Sequence, residues 1–99
     1  MRLTPAQIQA IQEIARDVLG ESARVTLFGS RVDDKKKGGD IDLLFELDQP
    51  VANRAKSIGL LYAALIRKLG DRKIDVLLKD QRTAPAPVFE IARKTGVQL

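Results

Sequence analysis

The apolar residues of the chain follow a helical spacing near its start and alternate with polar residues soon afterwards. Over positions 5–19 they recur at helical steps, at Ile8, Ile11, Ala15, Val18 and Leu19. Thr4 and Pro5 in front of them are typical of a helix N-terminus, and Gly20 behind them is typical of its end. The pattern predicts a first helix over residues 5–19.

Two further helices are predicted farther along the chain. Residues 51–69 carry a second apolar stripe, made of Ala55, Ile58, Tyr62, Leu65 and Leu69. Pro87 marks the start of a shorter helix over residues 87–94, and Gly96 ends it. The residues of this last helix that would turn inward are Val88, Ile91 and Ala92.

Short apolar runs over residues 24–28, 40–47 and 73–78 are rich in strand-forming residues, and residues 97–99 would add a short terminal strand. The first two runs are joined by about eleven residues, which is compatible with an antiparallel pair. The order of elements predicts an α+β fold in one domain, residues 1–99. We expect a small mixed sheet with the helices packed on one face and an open active face.

The second predicted strand begins with two aspartates one residue apart. Because side chains alternate along a strand, Asp40 and Asp42 share a face with Leu44 and Glu46, and their Cα atoms are about 6–7 Å apart. Two carboxylates at that spacing can bind a divalent cation, although acidic residues at a strand's start are also common at a simple loop-to-strand transition. Glu46 lies two pleats beyond Asp42, so we expect it at the far edge of the face and not among the ligands.

A third aspartate, Asp75, lies in the middle of the run over residues 73–78. An unpaired carboxylate inside a strand costs stability unless something binds it, and a metal ion is a natural partner. The apolar faces of the second and third strands must both cover helices. We therefore expect Asp75 on the same side of the sheet as Asp40 and Asp42.

The composition excludes several classes of catalytic and metal site. The 99 residues include no Cys and no His, which excludes disulfides, thiolate zinc sites, Ser-His-Asp triads and histidine metal sites. Any metal must be bound by oxygen ligands, which favours magnesium, manganese or calcium. The net charge of +4 is weak evidence for a phosphate-bearing partner. No apolar run suits a membrane helix or a signal peptide, so we expect a cytoplasmic protein with no membrane contact.

The motifs combine into one pattern: Gly29-Ser30, nine further residues, Asp40-x-Asp42, and a later strand that carries Asp75. This pattern resembles the nucleotidyltransferase superfamily of DNA polymerase β. More narrowly, it resembles the minimal nucleotidyltransferase (MNT) proteins, many of which are antitoxins encoded beside a HEPN-domain toxin. The resemblance covers nearly the whole chain. Single pieces of it are unspecific, since a Gly-Ser pair alone is often an ordinary turn.

The resemblance implies roles for these residues. Asp40 and Asp42 would hold two magnesium ions (Mg2+), and Asp75 would complete the metal site and help to activate the attacking hydroxyl. Two divalent ions about 3.5–4 Å apart stabilise both the attacking and the leaving oxygen of such a displacement.

The same resemblance places the nucleotide's phosphates at the turn after the first strand. Gly29 and Ser30 would cradle the β- and γ-phosphates of ATP, with backbone N–H groups as donors. Arg31 would contact the triphosphate as a bidentate donor. Arg31 is also compatible with a surface arginine on a loop.

The implied activity is metal-dependent transfer of AMP from ATP, a nucleoside triphosphate, to a partner protein, as in an antitoxin that modifies a HEPN-type toxin. RNA is an alternative acceptor. Two other classes of function stay open. One is a non-catalytic antitoxin that neutralises its partner by forming a complex. The other is a small basic RNA-binding protein, against which the chain offers no aromatic platform for base stacking.

Overall fold

The computed structural model describes residues 3–29, 41–70 and 73–99, which form three helices and four strands. In chain order the elements are α1 (Pro5–Leu19), β1 (Arg24–Phe28), β2 (Ile41–Glu46), α2 (Arg54–Leu69), β3 (Ile74–Lys79), α3 (Pro87–Thr95) and β4 (Val97–Gln98). The strands make one sheet in the order β3-β2-β1-β4. Because β1 is antiparallel to β2 and β4 while β2 is parallel to β3, the sheet is mixed, and the predicted α+β fold is confirmed.

Side-chain caps set where the first two helices begin. The hydroxyl of Thr4 accepts the Gln7 backbone N–H at 3.1 Å, and the Gln7 side chain accepts the Thr4 backbone N–H at 2.9 Å, so α1 starts as predicted. The α2 helix starts later than predicted, at Arg54, because the Asn53 side chain accepts the Lys56 backbone N–H at 3.0 Å and caps it there. None of the helices in the described ranges is long and apolar enough to cross a bilayer.

The helices α1 and α2 cover one face of the sheet. The strands contribute a buried apolar layer to this face, made of Val25, Leu27, Ile41, Leu43, Phe45, Ile74 and Leu78. The α2 helix turns Leu61, Leu65 and Leu69 toward this layer. Because Leu61 takes the inward position, its neighbour Tyr62 is 46% exposed, and the prediction that Tyr62 packs in the core is wrong.

The α3 helix packs on the opposite face, which differs from the expectation that all helices share one face. Leu44 points to this second face and is fully buried together with Phe89 and Ala92 of α3. An apolar side chain of this size needs a cover, and α3 supplies it. The inward residues of α3 are thus Phe89 and Ala92, and the predicted inward residues Val88 and Ile91 are exposed.

The face under α3 is ordered into three rows by the register of β1, β2 and β3. The carboxylate row is Phe28, Asp42 and Asp75, the apolar row is Thr26, Leu44 and Leu77, and the charged row is Arg24, Glu46 and Lys79. The α3 helix lies over the apolar row, since Leu44 and Leu77 belong to the same cluster as Phe89 and Ala92. The carboxylate row and the charged row therefore flank α3 on its two sides.

Candidate active site

The carboxylate row brings together two of the aspartates singled out in the sequence. Asp42 and Asp75 are register partners in the adjacent parallel strands β2 and β3, which lie about 4.8 Å apart. Both side chains therefore leave the sheet on the same face, as expected. Asp42 is half-buried and Asp75 is exposed, so the pair opens to solvent on the Asp75 side.

Gly29 follows β1 directly, and its backbone lies against Asp42. A Cβ atom added to Gly29 would lie 2.1 Å from Oδ2 and 3.0 Å from Cγ of Asp42, so no side chain fits there. Gly29 also has a φ of 78°, in the left-handed region that favours glycine. The sequence predicted a close approach of a ligand to this backbone, and the structure shows the Asp42 carboxylate itself beside it. A phosphate group bound at this turn would adjoin Asp42.

Three other predicted site residues, Ser30, Arg31 and Asp40, lie outside the residues that the structure describes. Their roles in phosphate and metal binding stay predictions.

The donor set of the carboxylate row suits a hard divalent cation. Asp42 and Asp75 offer carboxylate oxygens, the ligands that magnesium and calcium prefer. Within the described ranges no three acidic side chains are grouped so that they could hold a metal, so a complete site needs a further ligand such as Asp40. The space that glycine leaves at position 29 accommodates the Asp42 carboxylate at the end of β1. These residues fit a metal-binding role.

The acidic residue of the charged row is held differently. Glu46 is buried, and its Oε2 accepts two hydrogen bonds from Arg93 of α3, from Nε at 3.0 Å and from Nη2 at 2.9 Å. A second carboxylate, Glu90, is 3.2 Å from Nη1 of Arg93. The hydrogen bond to Glu46 raises the pKa of Arg93 above its usual range, although burial opposes this. The pair fixes α3 to the end of β2, and Glu46 lies away from the carboxylate row, as expected.

A buried carboxylate also joins β3 to α2. Asp80 accepts hydrogen bonds from the backbone N–H groups of Val51 at 2.7 Å and Arg82 at 3.0 Å, and from the Thr83 hydroxyl at 2.8 Å. Arg54 lies 4.0 Å away. These bonds, led by that from Val51, lower the pKa of Asp80 to about 2. Because Asp80 follows β3 at the opposite end from Asp75, we assign it to the fold and not to the site.

Sequence reasoning missed that α3 borders the candidate site. The available signal was Leu44, an apolar residue between two acidic ones on the carboxylate face. A leucine at that position indicates that the face is covered, and the element left to cover it was the last helix.

Comparison with known proteins agrees with this geometry. The family model described as a nucleotidyltransferase domain matches residues 8–95 of the chain. No curated protein matches the chain at a significant level. The matched residues run from α1 to the last residue of α3 and contain the whole carboxylate row. The chain therefore belongs to the nucleotidyltransferase domain family.

Proposed function

We propose that this nucleotidyltransferase domain transfers AMP from ATP to a hydroxyl group of a partner protein, with two Mg2+ ions bound at the carboxylate row. The observation that carries the proposal is the position of Asp42, which lies beside Asp75 across two parallel strands and beside Gly29 at the end of β1. Two carboxylates on adjacent strands, with a glycine turn beside one of them, support such a reaction.

The metal ions would be held by Asp40, Asp42 and Asp75. Bound there, they would supply positive charge to the oxygens on which negative charge grows during the transfer. Clustered carboxylates repel one another and are neutralised by a bound cation, which gives these side chains a reason to be together.

The residues of the chain would orient the reactants. The turn at Gly29 and Ser30 would bind the β- and γ-phosphates through backbone N–H groups, and Arg31 would add charge to the same groups. Asp75, the more exposed of the two described carboxylates, would take the proton of the attacking hydroxyl. The hydroxyl oxygen then bonds to the α-phosphorus, the bond from that phosphorus to the bridging oxygen breaks, and pyrophosphate leaves.

The acceptor would be a protein, as in the MNT antitoxins that this sequence resembles, and the partner a HEPN-type toxin. The described helices and strands form one sheet with three helices packed on it. We therefore expect the acceptor to be part of another molecule that binds over the carboxylate row. Asp75 is exposed at the rim of the pair and would meet such an acceptor.

A second candidate function is neutralisation of a partner by complex formation without catalysis. It is favoured by exposed apolar side chains on α2, where Leu60 is 50% and Tyr62 is 46% exposed. Exposed apolar side chains of this size are typical of protein interfaces. Being two residues apart in a helix, Leu60 and Tyr62 point to different sides of α2.

The test is transfer of label from ATP that carries radioactive phosphorus at its α-position. The wild-type protein, Asp42→Asn and the matched control Asp48→Asn would each be incubated with magnesium and the toxin-like partner or host lysate. Asp48 is exposed and pairs with Arg24 at 3.2 Å at the other end of the same strand. We expect a labelled protein band with the wild type and the control but not with Asp42→Asn.

Two outcomes would contradict the proposal. Label that appears equally with Asp42→Asn would exclude the carboxylate row as the site. If no label appears with a folded wild type and an expressed partner, and Asp42→Asn still neutralises that partner, the complex-forming function is the correct one.

A further inference from the structure

The orientation of α3 about its own axis follows from its contacts. Phe89 and Ala92 point down to the apolar row and are buried. Arg93 reaches sideways to Glu46 of the charged row and also contacts Glu90. One flank of α3 therefore faces the charged row and carries charged side chains.

The side of α3 opposite Arg93 is apolar and lies toward the carboxylate row. At 3.6 residues per turn, Val88 and Ile91 lie roughly 140–160° around the helix from Arg93. Val88 is about 70° and Ile91 about 130° from the midpoint of the buried Phe89 and Ala92, so Val88 is beside the row and Ile91 is above it. The carboxylate row is one pleat repeat, about 6–7 Å, from the apolar row under α3. Thr95 lies on the same flank, and its hydroxyl donates to the Ile91 carbonyl oxygen at 2.7 Å. We call Val88 and Ile91 the apolar flank.

The apolar flank is open. Val88 is 42% and Ile91 is 58% exposed, and the half-buried Phe28 of the carboxylate row packs against the cluster under α3. Scattered exposed apolar residues are normal on proteins. These two, however, are aligned along one flank of one helix, and Phe28 of the row that carries Asp42 and Asp75 packs against the buried residues of the same helix.

We infer that the apolar flank, with Phe28, is the surface on which the base of the nucleotide packs. This inference rests on the proposed function, in which the α-phosphate is held at Asp42 and Asp75. The nucleoside attached to that phosphate must extend from the carboxylate row either toward α3 or away from it. Apolar side chains are exposed on the side toward α3. A nucleobase has apolar faces, and burial of apolar area is favourable.

The side chains of the apolar flank also indicate which nucleobases this surface could discriminate. The side chains of Val88, Ile91 and Phe28 have no hydrogen-bond donor or acceptor, so they contact the faces of a base and not its polar edges. The contribution of this surface should then be equal for adenine and guanine, and smaller for the smaller pyrimidines.

The experiment measures binding to the intact protein by calorimetry in the presence of magnesium. The ligands are ATP, GTP and inorganic tripolyphosphate, and the variants are the double substitution Val88→Ser with Ile91→Ser and the matched control Leu60→Ser with Tyr62→Ser on α2. We expect the first variant to weaken ATP and GTP by roughly tenfold each and to leave tripolyphosphate unchanged. The α2 control should leave all three ligands unchanged.

The possible results distinguish a failure of the base-binding inference from a failure of the proposed function. Unchanged ATP affinity in the Val88→Ser, Ile91→Ser protein overturns the inference, as does a loss that extends equally to tripolyphosphate. If only the complex with the acceptor protein weakens, the apolar flank serves the acceptor and the inference is wrong. If wild type binds neither ATP nor tripolyphosphate, the proposed function itself fails. A Val88→Leu, Ile91→Met variant, which keeps the flank apolar, should bind ATP as wild type does.

Discussion

Two acidic residues of β2, Asp42 and Glu46, point from the same strand to the same face and have opposite surroundings. Glu46 is buried and accepts two hydrogen bonds from Arg93. Asp42 has a second carboxylate, Asp75, as its cross-strand neighbour. A buried acid that accepts hydrogen bonds from an arginine joins α3 to the sheet, whereas two carboxylates on adjacent strands suit a divalent cation that both could bind. The neighbours of these acids, and not the residue type, distinguish the two ends of this face. We call the end with Glu46 the structural end and the end with Asp42 and Asp75 the chemical end.

The largest effect is expected from a substitution at the chemical end, at Asp42. Asp42→Asn keeps the shape of the side chain but removes a charge that the proposed metal site needs, so nucleotidyl transfer should fall about a thousandfold or more. Glu46→Gln, the same kind of change at the structural end, should retain most of the activity. Initial rates of label transfer from ATP measure both variants. Equal losses of activity in the two would show that the comparison between these acids is wrong.

The next effect concerns the contact between Gly29 and Asp42. In Gly29→Ala the new Cβ would clash with Oδ2 of Asp42, so the carboxylate must move by an ångström or so, and activity should fall about a hundredfold. The left-handed φ also costs about 1–2 kcal/mol of stability for an alanine. Transfer rates and urea unfolding curves measure the two consequences separately.

The chain offers a matched control for this substitution. Gly20 has a φ of 103°, and a Cβ there would meet nothing within 4 Å. Gly20→Ala should therefore lose similar stability while keeping its activity. If Gly20→Ala loses as much activity as Gly29→Ala, backbone strain and not the contact with Asp42 explains the effect.

At the structural end, Arg93→Met should lower the free energy of unfolding by about 2 kcal/mol. The substitution removes both hydrogen bonds that the buried Glu46 accepts from Arg93 and leaves it only its cross-strand neighbours Arg24 and Lys79. This cost is reduced because the Arg93 side chain is 37% exposed. Replacing both residues, with Glu46→Leu and Arg93→Met, should recover most of the stability because the buried carboxylate is then replaced by an apolar side chain. Urea unfolding of the single and double variants gives the coupling, and a neutral Arg93→Met would contradict it.

The parts of this structure that follow from neighbouring residues could be predicted from the sequence. Thr4, Pro5 and Gly20 determine both ends of α1 locally, and the prediction of that helix is confirmed to the residue. Alternation along β2 and β3 likewise placed Asp42 and Asp75 on one face.

The position of α3 could not be predicted in the same way, because it depends on a contact between distant residues. Its apolar residues suit two orientations, and only the need to bury Leu44 selects the one that turns Phe89 and Ala92 inward. The ion pair of Glu46 with Arg93 joins residues 47 positions apart and carries no local signal.

The smallest effect is expected at a third acid, Asp80, which follows β3. Like Glu46, Asp80 is buried and hydrogen-bonded, so it extends the comparison of Glu46 with Asp42. Its hydrogen bonds to Val51, Thr83 and Arg82 lower its pKa from 3.8 to about 2. A lowered pKa means that the folded state favours the charged form, so this stabilisation is fully present above the unfolded-state pKa near 3.8. It should be lost as the pH falls from about 4 to about 2.

The measurement compares wild type with Asp80→Asn by urea unfolding across that range of pH. The stability difference between the two proteins should be constant above pH of about 5 and should shrink steadily below about 4. The Asp48→Asn protein, which alters an exposed acid at the end of the neighbouring strand, should show no such trend. A difference that does not depend on pH would mean that Asp80 contributes through the shape of its side chain, and that its charge is no part of how the loop after β3 is held to the start of α2.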